Sequence, residues 1–379
     1  EILPGAAHLS DTLLKAIVWT ELPIFNYEAR LTGLEVLTNG WIHQLVQMNV
    51  PELTDEIEQR ILEWVSISCD INEKRQDGAT PLILAARGEK LHHFQALLNL
   101  GASLTERDVN GLNALLVACQ RIKAWVICVD KLKTLQTPLG DSHFVVPSNM
   151  RTIWHLTTYS IEAIQLTHKV AVHHFPSLHL DSTDWEGKSP LFYACALDNS
   201  EVVEFLLNNG ALINRMSHTG VSCLHQACLS KAYRCISVLI RDPELELKPF
   251  AKDVSTGRSL LMDAVSCGHL RVVQRLIESI KHEESYLLNE KDYNGRTVIH
   301  YAATACRQAD DIDILAWLLT QCQYKNIFAV DEKDNAGFTP LMMAVDYPGR
   351  LNILLQHGAD VNATNAAGNT ALRLLLNKG

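Results

Sequence analysis

The side chains in this sequence best suited to metal binding or catalysis are cysteines and histidines, and one cluster combines them. Cys223, His225 and Cys228 lie close together along the chain, and Cys235 follows. Thiolate and imidazole are ligands that zinc prefers, so a zinc site is one interpretation. The other interpretation is that cysteine serves here as a small buried residue.

A second stretch resembles part of a phosphate-binding loop. Gly187-Lys188-Ser189 matches the end of that motif, but its upstream glycine is replaced by Ser182. No nucleotide site is therefore predicted.

Four histidines form a further patch, for which a pH-sensitive or metal-binding role stays open beside a plain helix-end placement: His168, His173, His174 and His179. The sequence contains no nucleophile elbow, no His-Glu-x-x-His motif and no glycine-rich dinucleotide turn. We therefore expect no enzyme activity, no cofactor and no metal.

The elements that position these side chains come from a short phrase that recurs along the chain. Gly337-Phe-Thr-Pro-Leu is followed by Gly368-Asn-Thr-Ala-Leu, and similar phrases recur earlier. Such self-similarity is typical of repeat architectures. The first residue of each copy, here called its anchor, lies 31 to 42 residues from the next, and the nine anchors are Gly78, Gly111, Met150 (a degraded copy), Gly187, Gly220, Gly257, Gly295, Gly337 and Gly368.

Each copy predicts a turn followed by two helices. The glycine suits a positive φ, the Thr or Ser two residues later suits a helix N-cap, and Pro after it suits the first helical position. A second helix with apolar residues at helical spacing then ends at a glycine such as Gly210 or Gly358.

These phrases resemble the ankyrin repeat, and the stretch from Leu354 to Asn362, Leu-Leu-Gln-His-Gly-Ala-Asp-Val-Asn, is close to the family pattern. The resemblance covers about residues 54–379. It implies an all-α ankyrin-repeat solenoid of stacked helix-turn-helix units, with β-hairpin loops called fingers projecting from one edge.

The positions of the cysteines and histidines within the repeat favour structural roles for them over metal binding. Cys119, Cys195 and Cys228 each lie eight residues after an anchor, where the first repeat has Ala86. This favours a small buried residue over a metal ligand. The family also has a histidine whose side chain bonds to backbone between repeats, and it falls on His155, His225 and His300.

Domain boundaries follow from departures from the repeat. Residues 1–53 match it poorly and are predicted to form an N-terminal helical cap in place of an independent domain. The array over 54–379 is predicted to carry a loop insertion near 134–149 and a degenerate repeat near 148–183, and the insertion is either a tolerated surface loop or a partner-binding loop.

Composition limits the partners. The net charge of −10 argues against nucleic acid as a partner, because phosphate binding needs a basic surface. No apolar run is long enough to span a bilayer, so no membrane insertion is expected. The ten cysteines lack framework spacing, which favours an intracellular location, cytoplasmic or nuclear or both.

In the family that this chain resembles, the variable positions near the finger tips and along the concave face bind partners. Aromatic and basic side chains at these positions predict a protein or peptide partner, acidic or aromatic-bearing. The residues predicted to bind it are Trp185, Lys188, His218, Arg258, Tyr293, Arg296, Phe338 and Tyr347.

The function predicted from these features is a non-catalytic scaffold or adaptor. The alternative is a targeting or regulatory ankyrin region of a larger enzyme or channel. The last repeat has a single helix before Gly379, which motivates that alternative.

Overall fold

The computed structural model describes residues 43, 46, 70–88, 90–305, 313–320, 322 and 327–377. The chain divides into two compact units, Glu1–His179 and Leu180–Gly379. His43 and Val46, both helical and buried, are the described members of the predicted N-terminal cap, and the rest of the cap lies outside the described residues. The same holds for Asp310 and Asp311 in the long seventh repeat. The predicted domain boundaries therefore stay predictions.

In the described part of the first unit, six α-helices follow one another as three pairs. A short 3-10 helix, Asp141–Phe144, lies between the second and third pairs. The α-helices are α1 Pro81–Arg87, α2 Leu91–Asn99, α3 Ala114–Ala118, α4 Ile122–Thr134, α5 Ile153–Leu156 and α6 Ile161–His174.

The second unit continues the same plan with five pairs and one final helix among its described residues. Two 3-10 helices, His282–Asn289 and Ala344–Asp346, lie between its α-helices. The α-helices are α7 Pro190–Ala196, α8 Ser200–Asn208, α9 Cys223–Leu229, α10 Tyr233–Leu239, α11 Leu260–Cys267, α12 Leu270–Glu278, α13 Val298–Thr304, α14 Ile314–Thr320, α15 Pro340–Met343, α16 Pro348–Gln356 and α17 Ala371–Leu376.

The first helix of each pair begins where the repeated phrase predicts it. Thr80 is the N-cap of α1, and its hydroxyl oxygen accepts the N–H of Ile83 at 3.4 Å. Ser222 caps α9 and Thr339 caps α15 in the same way. These side chains satisfy backbone donors that have no partner inside the helix, so the predicted caps are confirmed.

The anchors form turns with left-handed backbone, as predicted. The eight anchor glycines have φ between 71° and 79°, and Met150 at the degraded anchor has φ 58°. An L-residue pays a steric cost in this region, so the degraded repeat keeps the turn at the expense of local strain.

Within each unit the first helices pack on first helices, and alanine lets them approach closely. A buried alanine lies seven residues after the anchor in seven repeats, and none of these alanines is more than 1% exposed: Ala85, Ala118, Ala194, Ala227, Ala264, Ala302 and Ala344. Because a single pair buries only one face, the stacked pairs within each unit share a core.

The region predicted as a loop insertion carries a buried aromatic side chain. Phe144 lies at the end of the 3-10 helix Asp141–Phe144 and is fully buried. Its ring centroid is 4.3 Å from that of Phe175. This contact fixes part of the segment to the end of α6.

The described residues form isolated β-bridges but no strand, and the all-α ankyrin-repeat fold class is confirmed. In this part of the chain no helix combines the length and the apolar character that crossing a membrane requires.

Candidate protein-interaction surface

Three finger turns of the second unit are each closed by a buried aspartate. Asp184 is 3% exposed, and its Oδ1 accepts the N–H groups of Glu186 at 3.0 Å and Lys188 at 2.9 Å. Asp292 and Asp334 make the same pairs of bonds in their own fingers. The carboxylate therefore fixes the hairpin and presents the two residues that follow it.

Backbone hydrogen bonds join each finger of this unit to the next. The N–H of His218 donates to the carbonyl of Glu186 at 2.9 Å, and the N–H of Tyr293 donates to the carbonyl of Thr256 at 3.1 Å. Equivalent bonds link the remaining tips. We call this row the finger-tip ridge; it consists of Trp185, Glu186, His218, Thr219, Val254, Ser255, Thr256, Tyr293, Asn294, Asn335, Ala336, Ala366 and Ala367.

Three large side chains of the ridge face solvent. The exposed fractions are 66% for Trp185, 65% for Val254 and 63% for Tyr293. Glu186 is the one acidic residue of the ridge, which contains neither lysine nor arginine. The ridge therefore offers aromatic, hydroxyl and amide groups with little net charge.

The three basic residues predicted to bind the partner are each paired with a carboxylate of this unit. Lys188 Nζ lies 2.8 Å from Glu186 Oε2, and Arg258 Nη2 lies 2.7 Å from Asp263 Oδ1. Arg296 Nε lies 3.5 Å from Asp334 Oδ2. Ion pairing reduces the positive electrostatic potential around these three side chains. The structure therefore supports an acidic partner less strongly than the sequence did.

Arg258 is the most enclosed of these cations. Its guanidinium lies 4.4 Å from the ring centroid of Tyr301, and the Tyr301 hydroxyl donates to Asp292 Oδ2 at 2.6 Å. Burial raises the pKa of Tyr301, and so does its hydrogen bond to Asp292. Arg258 thus makes an ion pair and a ring contact within the chain, and its binding to a partner stays a prediction.

The carboxylate that pairs with Arg258 has an unusual pKa. Asp263 on α11 is 2% exposed. Burial raises its pKa to about 6, against the opposing effect of Arg258. Loss of hydration thus outweighs the ion pair, whose geometry is not that of an aligned hydrogen bond.

The last three predicted binding residues lie in different settings. His218 is exposed and packs over Gly187 of the preceding finger. Phe338 is half-buried and lines a cavity. Tyr347 is 42% exposed, with the Arg350 guanidinium 5.0 Å from its ring centroid. None of these placements tests partner binding, which stays a prediction.

Two of the family histidines join neighbouring repeats, as the resemblance implied. The N–H of Ser222 donates to His225 Nδ1 at 3.1 Å, which leaves Nε2 to donate to the carbonyl of Ala251, also at 3.1 Å. His300 bonds in the same way to Thr297 and to the carbonyl of Phe338. Burial lowers the pKa of His225 and of His300, so both rings are neutral at pH 7.

The cysteines of the cluster near His225 lie in the core. Cys223, Cys228 and Cys235 are at most 2% exposed, and the Cys223 thiol donates to the carbonyl of Ile213 at 3.1 Å. Burial raises the pKa of the Cys119 thiol, at another copy of the Cys228 position. No group of three or more potential ligands suited to a metal ion was found among the described residues. In the histidine patch, His174 is buried beside the carbonyl of Leu132.

The sequence reasoning missed one row of residues, six positions after each anchor on the first helices. We call it the plus-six row; in the second unit it consists of Tyr193, Gln226, Asp263, Tyr301, Met343 and Leu374. Counting from the anchors would have found it, because the register is constant at the start of each repeat. One member, Asp263, pairs with Arg258, the residue just after the anchor of its own repeat.

Stacked helix pairs with hydrogen-bonded finger turns define a helical repeat protein built for surface recognition. The family model for ankyrin repeats (3 copies) matches residues 161–253, 224–331 and 261–365, and the single ankyrin repeat model matches residues 77–109. The chain belongs to the ankyrin-repeat family.

Several characterised proteins are similar to this chain. Phosphocholine transferase AnkX of Legionella pneumophila is 23% identical over 81% of this chain and 31% of its own length. SH3 and multiple ankyrin repeat domains protein 2 of Homo sapiens is 28% identical over 52% of this chain and 8% of its own length. The chain thus spans less than a third of either relative.

Among solved structures, the ankyrin repeat domain of Bcl-3, from the IκB protein family, matches 65% of this chain and all of its own. The TM-score is 0.47 and the sequence identity is 21%.

Proposed function

We propose that this chain is a non-catalytic scaffold or adaptor that binds a protein partner through the finger-tip ridge of its second unit. Ankyrin repeats are protein-interaction modules, and the family assignment supports this class of function. The observation that carries the proposal is the exposure of Trp185 and Tyr293 on one hydrogen-bonded ridge.

Exposed tryptophan and tyrosine on a rigid support are common anchors of protein interfaces. Such side chains contribute roughly 2 kcal/mol or more each when they act as hot spots. The backbone bonds between fingers reduce the entropy lost on binding, because the tips are already ordered. Since the ridge has little net charge, the partner segment we propose is apolar or aromatic, with polar uncharged neighbours.

The experiment compares partner capture by the wild type with capture by a Trp185→Ala/Tyr293→Ala variant. Affinity purification from cells that express the chain, followed by quantitative mass spectrometry, is expected to show partners lost from the variant. Arg258 and Arg296 are left unchanged, because removing them would strand Asp263 and Asp334 without their ion pairs.

Tyr286 supplies a matched control. It is 70% exposed in the same unit and lies outside the ridge. Tyr286→Ala should retain the partners. Equal recovery of every partner by the double variant and the wild type would exclude the ridge as the binding surface.

A second candidate function is the partner-binding region of a larger enzyme. The similarity to a phosphocholine transferase favours it, because that match covers 81% of this chain within a longer protein. An antibody raised against this chain tests it by immunoblot. A native polypeptide clearly larger than 42.3 kDa supports this candidate, and one of that mass removes it.

A further inference from the structure

Positive charge is concentrated on two second helices of the second unit. Segments 231–242 and 269–281, which contain α10 and α12, have six basic and two acidic residues, so their local charge is opposite to the net charge of −10. The three arginines of these helices are exposed and, within the described residues, make no ion pair. We call them the arginine patch; it consists of Arg234, Arg271 and Arg275.

Contacts at the starts of α10 and α12 hold the two helices side by side. The Tyr233 hydroxyl donates to the carbonyl of Cys267 at 2.9 Å, and the ring centroids of Tyr233 and His269 are 6.1 Å apart. Tyr233 is the first residue of α10, and His269 is the N-cap of α12. Arg234 and Arg271, each the second residue of its helix, therefore lie on neighbouring helices at the same end.

The outer face of α12 carries two of the three arginines. Arg271 and Arg275 are one turn apart and exposed, and like charges at this spacing destabilise a helix. Arg271 is also close to the N-terminus of this nine-residue helix, where the helix dipole disfavours a cation. The stability of the helix therefore gains nothing from these two charges, which points to a role in binding. The opposite face is buried and consists of Val272, Val273, Leu276 and Ile277.

Acidic residues of the neighbouring elements are engaged elsewhere. Asp198 Oδ1 accepts the backbone N–H of Arg234 at 3.1 Å and so caps α10. Asp313, before α14, pairs with Arg350 at 2.9 Å. Glu278 on α12 and the two glutamates of α8 make no ion pair with the patch in the part of the chain that the structure describes. The three guanidiniums are therefore available to an external anion.

We propose that the arginine patch binds an acidic segment of a protein partner, in which several aspartate or glutamate side chains meet the three guanidiniums. Guanidinium matches carboxylate geometry and forms paired hydrogen bonds with it. Neighbouring helix axes lie about 10 Å apart, so cations on two helices match several carboxylates better than one compact anion.

This surface goes beyond the proposed function, because no member of the patch belongs to the finger-tip ridge. It differs from the three basic residues that the sequence predicted to bind a partner, since each of those has an ion pair within the chain. Free cations of this kind attract an acidic segment from a distance and select it over neutral ones.

Fluorescence anisotropy with the full chain tests the proposal. The probe is a short fluorescein-labelled peptide of alternating glutamate and glycine, and its control has glutamine in place of every glutamate. The chain is added up to about 1 mM, a range in which weak complexes form. The glutamate peptide should bind, and its affinity should fall as NaCl is added, because salt screens exposed charges. The glutamine peptide should not bind.

The patch variant is Arg234→Gln/Arg271→Gln/Arg275→Gln. It should bind the glutamate peptide about tenfold more weakly, because three exposed charge pairs each contribute modestly. Its melting temperature should be retained or raised, since the substitutions break no ion pair in the described structure. The corresponding triple lysine variant keeps the charge and should retain most of the binding.

Three cations outside the patch supply a matched control with the same change in net charge. Lys123, Lys169 and Arg373 are exposed and also lack an ion pair among the described residues. Lys123→Gln/Lys169→Gln/Arg373→Gln should bind the glutamate peptide within about twofold of the wild type, because the removed charges lie outside the contact. Equal losses in the two glutamine variants would indicate a general charge effect and would overturn the proposal.

Other anionic occupants are distinguished by separate probes. These are a glycine-serine peptide with one phosphoserine, vesicles of phosphatidylserine and phosphatidylcholine, and single-stranded oligodeoxythymidine. Each should bind more weakly than the glutamate peptide. Tighter binding of any of them, equal binding of the glutamate and glutamine peptides, or no binding of the glutamate peptide overturns the proposal.

The ridge variant separates this inference from the proposed function. The Trp185→Ala/Tyr293→Ala chain should bind the glutamate peptide as the wild type does. Partners that survive loss of the ridge exclude the ridge and leave the patch proposal standing. Loss of the glutamate peptide from the ridge variant would assign the acidic segment to the ridge and overturn the patch proposal.

Discussion

The ring of Tyr293 covers Gly257 of the preceding finger so closely that a Cβ atom on Gly257 would lie 2.6 Å from Tyr293 Cδ1. The same tyrosine is 63% exposed. One face of its ring therefore packs on the neighbouring repeat while the rest remains available to a partner. The glycine at an anchor thus serves both its own turn and the next finger.

Gly257→Ala is expected to destabilise the second unit through both features. The left-handed φ of 71° would cost about 1 kcal/mol, as measured for L-residues in this region. The close approach to Tyr293 would add about 1 kcal/mol, because the ring must move. Urea unfolding monitored by circular dichroism measures the total.

Gly358→Ala is the matched control for the backbone effect. Gly358 has φ 83°, and nothing lies within 4 Å of the position of its Cβ. Gly358→Ala should lose only the stability that the left-handed φ costs. Adding Tyr293→Ala to Gly257→Ala should restore the stability lost through the close approach to the ring. Equal losses for the two single variants would show that the ring imposes no steric constraint.

The ionisation of Asp263 should make stability depend on pH. Burial raises its pKa from 3.8 to about 6 in the folded chain, so folding favours the protonated form. Unfolding then releases a proton between about pH 4 and pH 6, and the free energy of unfolding contributed by this group falls as the pH rises through that window. The fall is on the order of 1–3 kcal/mol.

Asp263→Asn removes this titration and leaves a side chain of similar shape. Urea unfolding of both chains at several pH values between 4 and 7 measures the difference in stability. The wild type should lose stability relative to the variant as the pH rises to 6 and stay level above 7. Parallel curves across the window would mean that Asp263 titrates near its ordinary pKa.

A chelator is expected to leave the melting temperature unchanged, despite the cysteines around His225. Both imidazole nitrogens of His225 already hold hydrogen bonds, to Ser222 and to Ala251, so neither is available to a metal. Differential scanning calorimetry with and without EDTA measures this, and elemental analysis of the purified chain measures bound zinc. Stoichiometric zinc together with a chelator-induced drop in Tm would contradict the prediction.

His225→Ala is the informative companion to the chelator experiment. It removes the bond that joins one repeat to the next and leaves the carbonyl of Ala251 without that donor. The free energy of unfolding should fall by about 2 kcal/mol, the cost of an unmade buried hydrogen bond. A loss that appears only when zinc is present would instead indicate a metal ligand.

Local signals in the sequence were sufficient for the repeat. The caps at Thr80 and Ser222, the turn glycines and the buried Cys228 all follow from residue type at a fixed distance from an anchor. These features depend on a few neighbouring residues, so a single sequence reveals them. The exposure of Trp185 and Tyr293 followed from the same register.

Pairings between repeats were beyond this reasoning. The buried ion pair of Arg350 and Asp313, with Nε and Oδ2 2.9 Å apart, joins residues far apart in the chain. The sequence around Arg350 does not indicate that Asp313 is its partner, and the sequence around Asp313 does not indicate Arg350. The stacking of Arg258 on Tyr301 was equally hidden, and the binding of Arg258 to a partner stays a prediction.

The sequence by itself determined that helical pairs recur at nearly constant register, because turn geometry, capping and the small residues between helices are local requirements. Only the tertiary structure decided which charges are neutralised and which aromatic rings lie on the next finger. These outcomes depend on side chains from successive repeats meeting in space, and the insertions that vary the repeat length obscure which residues meet.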